Sequence, residues 1–234
     1  MNYFLLNFKA IFVKDIVTEL RAKQVLPTMI VLGMLIVWIL RIVSEAASIE
    51  RTVMASAALW IAFLFAGLLV QERSFAVEQQ QDCINALLLT PVDVGTIFLS
   101  KLFVNVVMLC IFEIIIVPVV LFSFQLSIPD RWPALIGVLL LGNIGISSIG
   151  TLFSATVQFS SSLLSIIVLV VLMPMMIPAT FTLLLIFGAV PKELTGTGAL
   201  AFVGDFNTAV GYLIAFDVVF TAAGWLLFGF VVQE

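Results

Sequence analysis

Residues 132–190, almost sixty in succession, contain no Lys, Arg, Asp or Glu. One bilayer crossing uses only about 20 residues. The run therefore crosses a membrane twice, and the polar knot Gln158-Phe159-Ser160-Ser161-Ser162 is the turn between the crossings. The remainder agrees, at 63% hydrophobic and 10% charged, where soluble proteins average about 25% charged. The chain reads as an integral membrane protein whose 234 residues count helices, not soluble domains.

Composition also removes whole classes of chemistry. There is no histidine, hence none of the commonest metal ligand, haem ligand and neutral-pH proton shuttle. The net charge of -4 comes with no basic patch, so no nucleic-acid partner is expected. Cys83 lies in a charged segment between spans and Cys110 within a span, too different in depth for a disulfide; both read as free thiols. No cleavable signal peptide is expected, because the first spanning run begins near Val25 behind a mixed-charge segment. No phosphate-binding Gly-x-x-x-x-Gly-Lys loop occurs, and Gly196-Thr197-Gly198 is a flexible turn. Without His or Gly-x-Ser-x-Gly a hydrolase is excluded as well.

The expected architecture is a single transmembrane domain over residues 1–234, all-α, with six membrane helices. Residues 3–22 form an interfacial amphipathic helix: Asn7, Lys14, Thr18 and Arg21 share one face, and Leu5, Phe12, Val13, Ile16 and Leu20 the opposite one. Ile11 and Lys9 break that pattern. Spans are expected at about 25–43, 52–70, 97–125, 133–157, 163–187 and 207–232. Lys9, Lys14, Arg21, Lys23, Arg73 and Lys101 fall on one side of the membrane, and Arg41, Arg51, Arg131 and Lys192 on the other. The positive-inside rule, weighted to the first segment, then places both termini and the 71–95 connection in the cytoplasm.

That connection reads as a short helix along the membrane surface. Glu78, Asp82 and Asn85 form one polar stripe, with Ile84, Leu87 and Leu88 opposite. Thr90-Pro91-Val92-Asp93 reads as the start of the third span, with Thr90 as N-cap and Pro91 first in the helix. Two carboxylates lie within spans, Glu113 and Asp217, where an ionised acid costs about 2.5–3.5 kcal/mol on insertion scales. Each is either a contact on a transport path or a protonated acid hydrogen-bonded to a neighbouring helix. Pro118, Pro174 and Pro178 interrupt spans and free carbonyls that neighbours must satisfy. Met173, Met175 and Met176 read as adaptable core filler.

The segment from Gln71-Glu72-Arg73-Ser74-Phe75-Ala76-Val77-Glu78 through Asp82-Cys83 and Ala86-Leu87-Leu88-Leu89-Thr90-Pro91-Val92-Asp93 to Ile97-Phe98-Leu99-Ser100-Lys101 resembles the haem exporter protein B (CcmB) family. Lys14-Asp15 and Glu19-Leu20-Arg21 are similar to the opening of that family. Glu113 through Pro118 is similar to its third span, and Ala215-Phe216-Asp217 to its last. The loop is softer in charge than in many relatives, reading Glu78-Gln79-Gln80-Gln81-Asp82.

The resemblance implies a permease of the ABC-2 exporter type in a bacterial inner membrane. Its implied partners are an ATP-binding subunit, a second permease copy, a haem-handling membrane protein, a small helical membrane subunit and a haem chaperone. No cofactor is expected on this chain; haem is the implied cargo, and ATP binds the partner. Bottom-up, a permease without a nucleotide site must receive energy through its cytoplasmic surface. The docking residues expected there are Glu72, Arg73, Phe75, Glu78, Asp82, Cys83, Leu87, Pro91 and Asp93. The competing readings are an exporter of another substrate, a proton-coupled secondary transporter using Glu113 and Asp217, and a passive scaffold. A secondary transporter usually carries an internal repeat, which this sequence lacks.

Overall fold

The computed structural model describes residues 2–74, 93–127, 131–154, 161–188 and 205–233. Among these there are seven α-helices and no strand: α1 Asn2–Ala22, α2 Val25–Ala46, α3 Arg51–Ser74, α4 Val94–Ser123, α5 Trp132–Ser154, α6 Ser161–Ile186 and α7 Phe206–Gln233. Helices α2 to α7 are each long and apolar enough to cross a bilayer. In lipid, a helix is one of few structures that pairs its own backbone groups, so an all-α fold follows from the composition.

Two boundaries differ from the sequence expectation. Helix α3 continues past residue 70 to Ser74, carrying Gln71 and Glu72 into the helix. Its continuation has a local cause: the Gln71 amide is buried and donates to the Ile146 carbonyl at 2.7 Å, so a residue read as loop is held inside the packing. Helix α4 begins at Val94, with an extended Asp93 as N-cap. Thr90 and Pro91 therefore do not start this helix, and they lie outside the described residues. The Asp93 carbonyl alone receives the first turn, from the Thr96 N–H at 2.9 Å. Pro118 sits inside α4, and Pro174 and Pro178 inside α6, without ending either helix.

Helices α2 and α4 end alike. Ser48 and Gln125 adopt left-handed backbone angles, φ 53° and 54°. The next residues close the turns: Ile49 N donates to Ser44 O at 3.0 Å and Leu126 N to Leu121 O at 2.9 Å, the closure that satisfies orphan helix-end carbonyls. Arg51 at the start of α3 donates to the Gln125 side chain at 2.8 Å. The two hairpins are thus tied together on the membrane face opposite α1.

Helix α5 is central, packing against α3, α4, α6 and α7. Small residues allow this close approach, as is usual where lipid offers no hydrophobic drive. A Cβ on Gly150 would overlap the Gln71 side chain, and one on Gly145 would lie 2.6 Å from Met175 Sδ and 2.7 Å from Asp217 Oδ1. Aromatic contacts complete the core, including the edge-to-face pair Phe63–Phe112 at 5.6 Å between α3 and α4. The outer faces are apolar, to the extent that Phe122 is 86% exposed, as a lipid-facing surface requires.

Helix α1 has three faces where the sequence suggested two. Leu5, Val13 and Leu20 are exposed, but Phe12 and Ile16 are half-buried. Ile11, an exception on the wheel, packs toward the cluster of Ile97, Phe98 and Phe228. Phe8 meets Phe103 of α4 edge-on at 5.7 Å. Docking against α4 adds the third face.

Candidate functional site

The loop side of the bundle is where α3 ends and α4 begins. Glu72 is exposed at the end of α3, and its Oε1 accepts from Ser165 Oγ of α6 at 2.6 Å. Arg73 lies on the same final turn of α3. Asp93 is exposed at the other edge. Phe75, Glu78, Asp82, Cys83, Leu87 and Pro91 lie outside the described residues.

Between one and two turns into the membrane, both arms of this connection are fastened to the body. Gln71 fastens α3 to α5 through Ile146. On α4, Lys101 is only 2% exposed, and its Nζ lies 3.4 Å from Asp15 Oδ2 of α1. Lys14 of α1 shares Asp15, at 3.0 Å to Oδ1. A buried ammonium needs such a partner, because an unpaired buried charge is costly. Lys101 entered the sequence reading as a charge to count and as the last residue of the loop motif, yet it is a structural anchor. The signal was available: a Lys seven residues into a spanning helix is rarely idle.

A buried polar seam runs deeper between α4 and α5. Asn143 donates to Glu113 Oε2 at 2.8 Å and lies 3.7 Å from Cys110 Sγ. Two turns nearer the loop side, Asn105 donates to Thr151 Oγ1 at 2.9 Å. Ser147 falls between them with no partner for its hydroxyl among the described residues. Asn143, Ser147, Thr151 and Ser154 recur at i, i+4, i+8 and i+11, one face of a helix. That spacing was legible in the sequence and was missed because α5 carries no charge.

Asp217 stands apart from this seam. It is 5% exposed, packed where α7 meets Gly145, and neither carboxyl oxygen has a partner among the described residues. Gly145 and Asn143 are two positions apart on α5, about 200° around the helix. Glu113 and Asp217 therefore lie on different sides of α5, and the fold does not bring them together as a pair. Pro118 is exposed on α4; Pro174 is exposed on α6, and Pro178 is buried beside Ala179. Among the described residues no cluster of three potential His, Cys, Asp or Glu ligands occurs.

Six apolar helices around a small-residue centre, with polar contacts at helix seams and helix ends, define a multi-pass membrane protein. The chain belongs to the CcmB protein family, whose family model matches residues 6–223. No curated protein matches it. The family is that of haem-exporter permease subunits in cytochrome c maturation, membrane partners of an ATP-binding subunit in an ABC transporter.

Proposed function

We propose that this chain converts ATP hydrolysis in its partner subunit into the movement that releases haem-loaded chaperone for attachment to c-type cytochromes. The observation that carries the reading is the anchoring of both arms flanking residues 75–92. Helix α3 is pinned to α5 at Gln71, and α4 to α1 at Lys101. A push on the connection is thereby delivered to helices that are held, not frayed, which is what a two-state mechanical element needs. Glu72, Arg73, Phe75, Glu78, Asp82, Cys83, Leu87, Pro91 and Asp93 supply the docking surface, with two permease copies completing the transporter. Both termini lie on the cytoplasmic side of a bacterial inner membrane.

Haem is cargo of the complex in this reading and is not ligated by this chain. Iron is held in proteins by His, Cys, Met or Tyr side chains. The chain has no His, and Cys110 sits beside Asn143 within the bundle. Ligation then belongs to the haem-handling membrane protein and the chaperone. A small helical membrane subunit completes the assembly.

The test is co-purification of the ATP-binding subunit with a variant carrying Asp82→Lys and Leu87→Asp. We expect a chain that inserts normally, fails to retain the ATPase and leaves haem stuck on the chaperone. Undiminished ATPase association would remove the docking assignment. Stoichiometric haem on the purified chain, lost on changing one of its own residues, would remove the cargo assignment.

A further inference from the structure

Helix α6 carries two prolines one turn apart, Pro174 and Pro178. Neither has a backbone N–H, so the carbonyls of Val170 and Pro174 lose their intrahelical donors. The hydroxyls that follow bond back onto the helix itself. Thr180 donates to the Met176 carbonyl at 2.8 Å, and Thr182 to the carbonyls of Pro178 and Ala179 at 3.0 and 2.8 Å. Back-bonding of this kind favours bending. Residues 174–182 are thus the pliable stretch of a spanning helix.

The packing on either side of the prolines is unequal. From 165 to 177 only Val168, Leu172 and Met175 are buried, a single stripe, while Ile166, Val170 and Met173 are each 60% exposed. Beyond them, residues 178–179, 181–184 and 186 are buried, so the outer half is embedded on most of its circumference. At the junction α6 and α7 part. They leave a cleft of about 460 Å³ between Met173, Pro174 and Ile177 on one side and Tyr212 and Phe216 on the other. A bend there has room at its pivot, where a close-packed interface would resist it. The far end of the loop-side half is held from outside the helix: Ser165 donates to Glu72 Oε1 of α3 at 2.6 Å.

We propose that α6 is a hinged helix. Its loop-side half swings about Pro174 and Pro178 while its outer half stays embedded, and the cleft against α7 widens and narrows with the swing. The Ser165–Glu72 contact makes the moving half follow α3. At 1.5 Å per residue the arm from Pro174 to Ser165 is about 13 Å long. A change of about 20° in the bend, the scale of an ordinary helix kink, then displaces Ser165 by roughly 5 Å. The hinge holds whatever the cargo; only its drive through Glu72 rests on the coupling role proposed above.

The test is the distance distribution between spin labels on non-natural side chains at Ile166 of α6 and Leu226 of α7. It is measured on the full chain, assembled with its ATP-binding subunit in lipid nanodiscs. A second pair, Phe187 at the outer end of α6 and Ile136 of α5, reports on the embedded half. We expect the loop-side distance to spread over roughly 4 Å more than the outer one, and its mean to shift when ATP binds. Pro174→Ala restores a backbone donor at an exposed position, so the chain still folds, and it should narrow the spread about twofold. Adding Pro178→Ala should narrow it further. Ser165→Ala should keep the spread and lose the response to ATP. A narrow loop-side distance in every state, an equal spread at the outer pair, or a spread indifferent to both proline changes would overturn the hinge. A spread that the prolines control but ATP does not shift, or an ATP response that survives Ser165→Ala, would keep the hinge and overturn its drive. Whether the coupling role also falls is decided separately, by the co-purification of the Asp82→Lys and Leu87→Asp variant.

Discussion

The 2.8 Å contact from Asn143 to Glu113 separates two roles for the acid. Glu113→Gln keeps an oxygen for Asn143 and should leave thermal stability and function nearly unchanged. Glu113→Leu leaves the Asn143 amide only the weak acceptor Cys110 Sγ, and loss of a buried partner costs about 1–3 kcal/mol, read as a lower aggregation midpoint in detergent. If Gln damages function as much as Leu, charge and not packing is what Glu113 supplies. Gly150 offers an independent test, because its added Cβ would meet Gln71. Gly150→Ala should destabilise by about 1–3 kcal/mol as overpacking does, and Gln71→Ala in the same chain should recover part of that loss. At this scale the sequence displayed Glu113 and Asp217 because charge is conspicuous in an apolar span. Asn143, Asn105 and Thr151 were passed over because they carry no charge, and although the α5 stripe could be read from its spacing, its pairing with α4 leaves no trace in either helix alone.

At the scale of elements, α1 shows what a helical wheel can and cannot reveal. Periodicity placed Leu5, Val13 and Leu20 on the exposed apolar face, but it had no way to show that α4 would meet Phe8 and Ile11. The six spans were legible because hydropathy and length are local properties. The start of α4 was not: Thr90-Pro91 has the form of a helix start, yet the helix begins at Val94. The Asp15–Lys101 contact predicts the behaviour of α1 as a unit. Asp15→Leu withdraws one carboxylate from a buried ammonium and should loosen α1 from α4. Hydrogen exchange should then rise across residues 2–22 while α5 stays protected. Equal protection of α1 in the variant and the parent would show that Phe8 and Ile11 suffice to hold it.

For the whole molecule, six spans put both termini on one side, and the topology proposed from the Lys and Arg distribution has that side cytoplasmic. A cysteine introduced at Gln80 should react with an impermeant reagent only after the cytoplasmic face is opened; labelling from outside would invert the topology. The docking of α1 on α4 also bears on how the protein is made. Asp15 and Lys101 are 86 residues apart, and at about 5–20 residues per second the ribosome needs roughly 4–17 s to cover that distance. Throughout that interval α1 is complete but has no α4 to bind. Its exposed Leu5, Leu6, Val13, Val17 and Leu20 provide a surface that can rest among lipid headgroups while three later helices enter the membrane. Helix α1 thus waits for its place until a helix made well after it arrives.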